Sequence, residues 1–161
     1  MGKIMAVNIS EKKGTQKKNV HSARLMEEFG IEKDAHAGKW HRQVSLLSYE
    51  KIEEFKGAPI EDGAFGENLI VSGYDLKALP VGTRLRSGEV LLEVTQIGKK
   101  CHSGCEIYKI MGDCIMPREG IFTRVLHGGV LTEGDEIVIE KAAGEADGGA
   151  YWCECGTFDN L

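Results

Sequence analysis

Apolar residues crowd the opening segment, where Ile4, Met5, Val7 and Ile9 predict a strand over Lys3 to Ile9 and Ser10-Glu11-Lys12-Lys13-Gly14 predicts the turn that ends it. After a polar loop to His21, Leu25, Met26 and Phe29 fall on one face at helical spacing. Ser22 is placed to cap that helix and Gly30 to stop it. Gln43 to Leu47 reads as a buried strand. Ser48 then caps a second helix running through Phe55, with Ile52 and Phe55 facing inward and Gly57 at its end. From Glu67 onward short runs of aliphatic and β-branched residues alternate with glycine-containing turns: Asn68 to Val71, Thr83 to Leu85, Val90 to Ile97, and Glu136 to Glu140. This spacing predicts a mainly β fold with short helices, arranged as a closed or nearly closed β-barrel. A faint internal echo supports it, since Leu79-x-x-Gly82-Thr83-x-Leu85 resembles Leu131-x-x-Gly134-Asp135-x-Ile137, each a turn feeding a strand.

The barrel domain is expected to occupy residues 1–140, a length at which one hydrophobic core closes without disulfide staples. Residues 141–161 begin with a run of Ala, Gly and acidic groups too poor in large apolar side chains to offset the entropy of ordering it. They form a flexible tail ending in the Cys153-Glu154-Cys155 element. No apolar run approaches the roughly 20 residues needed to cross a bilayer, and no secretory h-region opens the chain. A cytoplasmic protein without membrane association is expected. The net charge of −5 is dispersed, and the one basic cluster, Lys12, Lys13, Lys17 and Lys18, reads as a solvated loop, so nucleic acid is not an expected partner.

The five cysteines, an odd count, direct attention to thiol chemistry, because cytoplasmic thiols are kept reduced and serve metals or catalysis more often than crosslinks. Cys101 follows the strand that ends at Ile97, within Gly98-Lys99-Lys100-Cys101-His102-Ser103-Gly104-Cys105. At the first turn of a helix, with Lys99, Lys100 and His102 beside it, its thiolate would be favoured. Such a cysteine is a nucleophile, a persulfide carrier or a soft metal ligand. Two plainer alternatives stay open. Cys101 and Cys105 can be buried small hydrophobes, or Cys101, His102, Cys105 and Cys114 can hold structural zinc, although paired Cys-x-x-Cys knuckles are missing. The Cys153/Cys155 dithiol suits redox exchange or resolution of a persulfide on Cys101.

Three further segments carry polar groups. In Asp34-Ala35-His36-Ala37-Gly38-Lys39-Trp40-His41-Arg42-Gln43, Lys39, His41 and Arg42 form an anion-friendly loop, while His36, His41 and Asp34 also suit a metal. Glu67 and Asn68, in Gly66-Glu67-Asn68-Leu69, either shape a turn or meet a ligand. Arg118, beside Glu119, pairs structurally or meets an anion.

Taken in order, His41-Arg42-Gln43-Val44-Ser45, Gly66-Glu67-Asn68-Leu69, Val94-Thr95-Gln96-Ile97-Gly98-Lys99-x-Cys101-His102 and Met116-Pro117-Arg118-Glu119-Gly120-Ile121-Phe122 resemble a small stand-alone bacterial MOSC protein, the molybdenum-cofactor-sulfurase C-terminal family. The resemblance spans about residues 3 to 140 and implies a barrel of the pyruvate-kinase-barrel type. It implies a pocket for the molybdenum cofactor (molybdopterin), a pterin carrying a phosphate, with Cys101 as molybdenum ligand or sulfur carrier. Lys39, His41, Arg42, Ser45, Glu67, Asn68, Lys99, His102 and Arg118 then become cofactor-binding candidates. The implied activities are sulfur transfer in cofactor handling, with cofactor-processing enzymes or a sulfur donor such as a cysteine desulfurase as partners, or reduction of N-hydroxylated compounds. No flavin, haem or iron–sulfur motif is present, so a reductase would need a separate electron donor. The alternatives are a non-catalytic cofactor carrier and a zinc-stabilised domain. Cys105 and Cys114 fall outside the family's single-cysteine pattern.

Overall fold

The computed structural model describes residues 2–12, 16–54, 62–98, 115 and 119–141. Its strands are β1 (Gly2–Ile9), β2 (Lys18–Asn19), β3 (Ser22–Met26), β4 (Gly30–Ile31), β5 (Val44–Ser48), β6 (Leu69–Ser72), β7 (Arg84–Ser87), β8 (Val90–Ile97), β9 (Ile121–His127), β10 (Gly129–Thr132) and β11 (Glu136–Lys141), with one α-helix, α1 (Tyr49–Glu53). Seven strands run in the order β11-β7-β8-β9-β5-β6-β1, and β11 pairs back onto β1 to close a barrel. The β5–β6 pair is parallel and the remaining pairs are antiparallel, so the barrel is mixed. A second sheet, β10-β3-β4, stands beside it.

Alternation along the strands sorts side chains into two clusters. Val44 and Leu46 of β5 face the interior with Leu69, Val94 and Ile121, while Leu47 points outward. Outward-facing Ala6, Leu47, Ile70 and Phe122 pack against Ile52 of α1 and Phe65, so this side of the barrel wall is covered. A bulge between Val94 and Gln96 shifts the register of β8 against β9. Such an insertion re-aims the side chains that follow it. Ser48 caps α1, its hydroxyl accepting the Lys51 N–H at 3.3 Å, and Ile52 is buried as the pattern predicts. Phe55 and Gly57, expected at the end of that helix, lie outside the described residues. Among the described residues no helix is long and apolar enough to cross a membrane.

The expected helix from Ser22 is instead β3. Four of its residues pair with β10, from Ser22↔Thr132 to Leu25↔Gly129, and only Leu25 of the proposed apolar face is buried. Met26 and Phe29 are exposed. Tertiary pairing overrides helix propensity in a segment this short. The internal echo proves structural: Gly82 and Gly134 adopt φ of 99° and 98° at equivalent turns, and Leu85 and Ile137 after them enter the core on neighbouring strands β7 and β11.

Candidate functional site

A belt of polar groups crosses the covered side of the barrel wall from β8 to β1. Gln96 stands opposite Phe122 and Phe122 opposite Ser45, which is bonded to Asn68. The Asn68 side-chain oxygen accepts the Ser45 N–H at 2.9 Å, and its amide donates to the Asn8 carbonyl at 3.0 Å. The Ser45 hydroxyl in turn accepts the Asn68 N–H at 3.0 Å. Ser45 and Asn68 are therefore joined to backbone across β5, β6 and β1, and both are buried.

Glu67 terminates the belt. Its carboxylate accepts the N–H groups of Gly63 at 2.9 Å and Phe65 at 3.0 Å, drawing the 62–67 turn around it. Burial raises its pKa to about 7, against the lowering effect of backbone hydrogen bonds from its own N–H, Gly63 and Phe65; Asp62 adds to the rise. Gly63 sits at φ 83° with room for no side chain, since a Cβ there would lie 2.1 Å from the Lys17 carbonyl oxygen.

At the other end of the belt, fully buried His41 places Nε2 2.6 Å from the Gln96 side-chain oxygen. The Gln96 amide nitrogen donates to the Gly98 carbonyl at 2.8 Å, which fixes the orientation of the amide and makes His41 Nε2 the protonated nitrogen. Thr95 donates to the His41 and Phe122 carbonyls. The chain of bonds runs to Gly98, whose N–H donates to the Gly120 carbonyl at 2.7 Å and joins β8 to β9. Arg42 lies with its guanidinium carbon 5.0 Å from the Trp40 ring centre and 5.6 Å from that of Phe122, a cation held between two aromatic faces.

Of the residues singled out from sequence, the structure thus brings His41 and Arg42 together around Phe122, and joins Ser45, Glu67 and Asn68 into one wall. Lys39 is exposed and lines a separate cleft of about 260 Å³ with Glu28, Trp40, Gln43 and Arg124. Cys101, Lys99, His102 and Arg118 lie outside the described residues, as do Cys105, Cys114 and the tail from residue 142 with Cys153 and Cys155.

The basic cluster departs from the expectation of a solvated loop at one member. The Lys17 side chain is wholly buried and its ammonium lies 2.7 Å from Asp34 Oδ1, 3.0 Å from Ser10 Oγ and 3.0 Å from His36 Nδ1. Three donors meeting three acceptors offset the desolvation that makes an isolated buried charge unfavourable. Nothing in the run of lysines distinguishes this one; the signal was the Asp34-x-His36 spacing. Gln96 was likewise missed, because a glutamine in a strand carries no pattern of its own.

A family model described as "MOSC domain" matches residues 33–138, about two thirds of the chain. No protein of curated function matches. Among solved structures, the YuaD protein from Bacillus subtilis is 24% identical with a TM-score of 0.70, the alignment covering 85% of this chain and 94% of that one. YiiM from Geobacillus stearothermophilus is 22% identical with a TM-score of 0.67, covering 88% and 76%. YiiM from Escherichia coli is 20% identical with a TM-score of 0.62, covering 86% and 70%. At these identities the likeness is one of fold, and together with the family match it shows that the chain belongs to the MOSC domain family.

Proposed function

We propose that this MOSC protein is a cytoplasmic cofactor-handling protein that binds the molybdenum cofactor and carries sulfur on Cys101. The observation that carries this reading is the bonded run His41–Gln96–Gly98. It holds the end of β8 rigidly, and Cys101 follows Gly98 by three residues, a reach of at most about 11 Å. A phosphate-bearing pterin suits the described groups: Arg42, stacked between Trp40 and Phe122, presents a planar cation for phosphate, and Lys39 adds exposed positive charge. Ser45, Glu67 and Asn68 serve by holding the wall behind the ligand, since their polar atoms already bond to backbone. Lys99, His102 and Arg118 complete the anion-binding set in this reading.

The cofactor supplies a metal that takes a soft thiolate ligand. For sulfur transfer, the Cys101 thiolate attacks the outer sulfur of a donor protein's persulfide. A new S–S bond forms on Cys101, the donor's S–S bond breaks, and the donor leaves as its thiolate, with no net oxidation. Protein purified from a molybdate-supplied host should contain molybdenum and a fluorescent pterin. Mapped peptides should show a gain of about 32 Da, one sulfur atom, on Cys101. Cys101→Ser should lose both. Stoichiometric zinc with neither molybdenum nor pterin would instead support a zinc-stabilised domain.

A further inference from the structure

Gln43 is 2% exposed, yet it lines the cleft of about 260 Å³ that it shares with Glu28, Lys39, Trp40 and Arg124. Its side-chain oxygen accepts the Val125 N–H at 2.9 Å, which settles which end of the amide is nitrogen. Among the described residues nothing accepts from Nε2, and that atom is not one of the polar atoms closed off from solvent without a partner. Its two hydrogens are therefore left to the cleft. A buried amide donor is unfavourable unless something supplies an acceptor. The Val125 carbonyl accepts the Glu28 N–H at 2.8 Å, so one residue of β9 holds both Gln43 and Glu28, the latter in left-handed backbone at φ 52°. In a glutamate such backbone persists where the surroundings hold it. Arg124, the residue before Val125, donates from Nε to the buried Glu93 carboxylate at 3.0 Å and from Nη1 to Glu28 Oε2 at 3.2 Å. Its Nη2 and the exposed Lys39 ammonium meet no acceptor among the described residues.

We propose that this cleft is a binding site for a small monocarboxylate, whose oxygens take the unused Gln43 amide hydrogens and whose charge is balanced by Lys39 and Arg124. Planar amide and guanidinium donors match the flat fork of a carboxylate. Charge decides between anions. Among the lining residues Lys39 and Arg124 stand against Glu28, which leaves one positive charge. Glu93, behind the wall, is matched by Arg84, whose Nε donates to its Oε2 at 3.2 Å. A ligand with one negative charge completes the set, whereas a phosphate dianion would bring its second charge against Glu28. Trp40 is the apolar member of the lining and suits a short hydrocarbon body. The site does not rest on the cofactor reading: Gln43, Glu28 and Arg124 have no part in it, and Lys39 alone is common to both.

The test follows the full ¹⁵N-labelled chain by ¹H–¹⁵N spectra during titration with butyrate at fixed pH and ionic strength, reading the Gln43 side-chain amide pair and the Trp40 indole signal. Both should shift and saturate in the millimolar range. Butyramide, of the same shape without the charge, and inorganic phosphate should move them far less. Gln43→Glu keeps the acceptor for the Val125 N–H but removes the donor, and should abolish the saturable Trp40 shift. Lys39→Met, at an exposed position, should weaken butyrate binding by about tenfold with circular dichroism unchanged. The site is overturned if the Gln43 amide shows no saturable shift with butyrate, or if phosphate or butyramide moves it as much. It is equally overturned if Lys39→Met, or a folded Gln43→Glu, binds butyrate as the wild type does. Should Gln43→Glu not fold, the wild-type titrations and Lys39→Met still decide. Failure of the cofactor reading would show separately, as purified protein that binds butyrate but lacks pterin fluorescence.

Discussion

Glu67 titrates in the neutral range while bonded to two backbone N–H groups, so its burial outweighs its hydrogen bonds. Its folded pKa of about 7 stands above the ordinary 4.5, and the native chain therefore holds a proton that the unfolded chain has released between those values. Stability contributed by this group is present at low pH and declines as pH rises from about 4.5 to about 7, by on the order of 3 kcal/mol in total. Urea unfolding at pH 5 and pH 8 should show that decline, and Glu67→Gln should flatten it relative to the wild type. Lys17 gives a second residue-scale expectation. Lys17→Met leaves the Asp34 carboxylate buried without its cation, and should cost about 3–5 kcal/mol in denaturant unfolding. Adding Asp34→Asn should recover a substantial part of that loss. Neither environment was legible beforehand, because burial of a lysine or a glutamate is decided by which distant loop closes over it. Glu67, Asn68 and Arg42 could be singled out from sequence. That the first two are bonded to backbone and the third is stacked on rings could not.

Elements were readable where periodicity and punctuation agreed. Val90 to Ile97 is a strand with the limits expected, Ser48 does cap α1, and the two glycine turns before β7 and β11 match in backbone angle. Ser22 to Met26 misled because alternation over five residues is too short to outvote a good set of helix formers, and its true partner, β10, lies more than a hundred residues away. The β9 strand opens with three buried residues in a row, Ile121, Phe122 and Thr123, and with Thr123 and Arg124 interrupting its apolar run it offers no clean period to read. Two element-scale outcomes are expected. Gly134→Ala, at φ 98° with open space around its Cβ position, should cost about 1–2 kcal/mol from backbone conformation alone. Gln96→Leu removes the acceptor of His41 Nε2 and the donor to Gly98 deep in the wall, and should lower stability by about 1–3 kcal/mol. Thermal or urea unfolding measures both.

The whole barrel depends on one short seam. β11 meets β1 at Gly2↔Ile137 and Lys3↔Glu136, reinforced by the Tyr74 hydroxyl donating to the Ile137 carbonyl at 3.2 Å. Without β11 both β1 and β7 become open edges, and open edges recruit other chains. A chain ending at Asp135 should aggregate or fail to fold by size-exclusion chromatography and circular dichroism, whereas one ending at Lys141 should keep its melting temperature. Opposite that seam, the Gly98–Gly120 bond fastens β8 to β9 before the chain departs toward Cys101 and returns. Between the two glycines, Ile115 is buried with Leu47, Ile52 and Phe122 on the covered side of the wall, and its carbonyl accepts the Glu119 N–H at 2.8 Å just ahead of β9. Variation at that spot therefore leaves the frame as it stands only where the seat of Ile115 is kept.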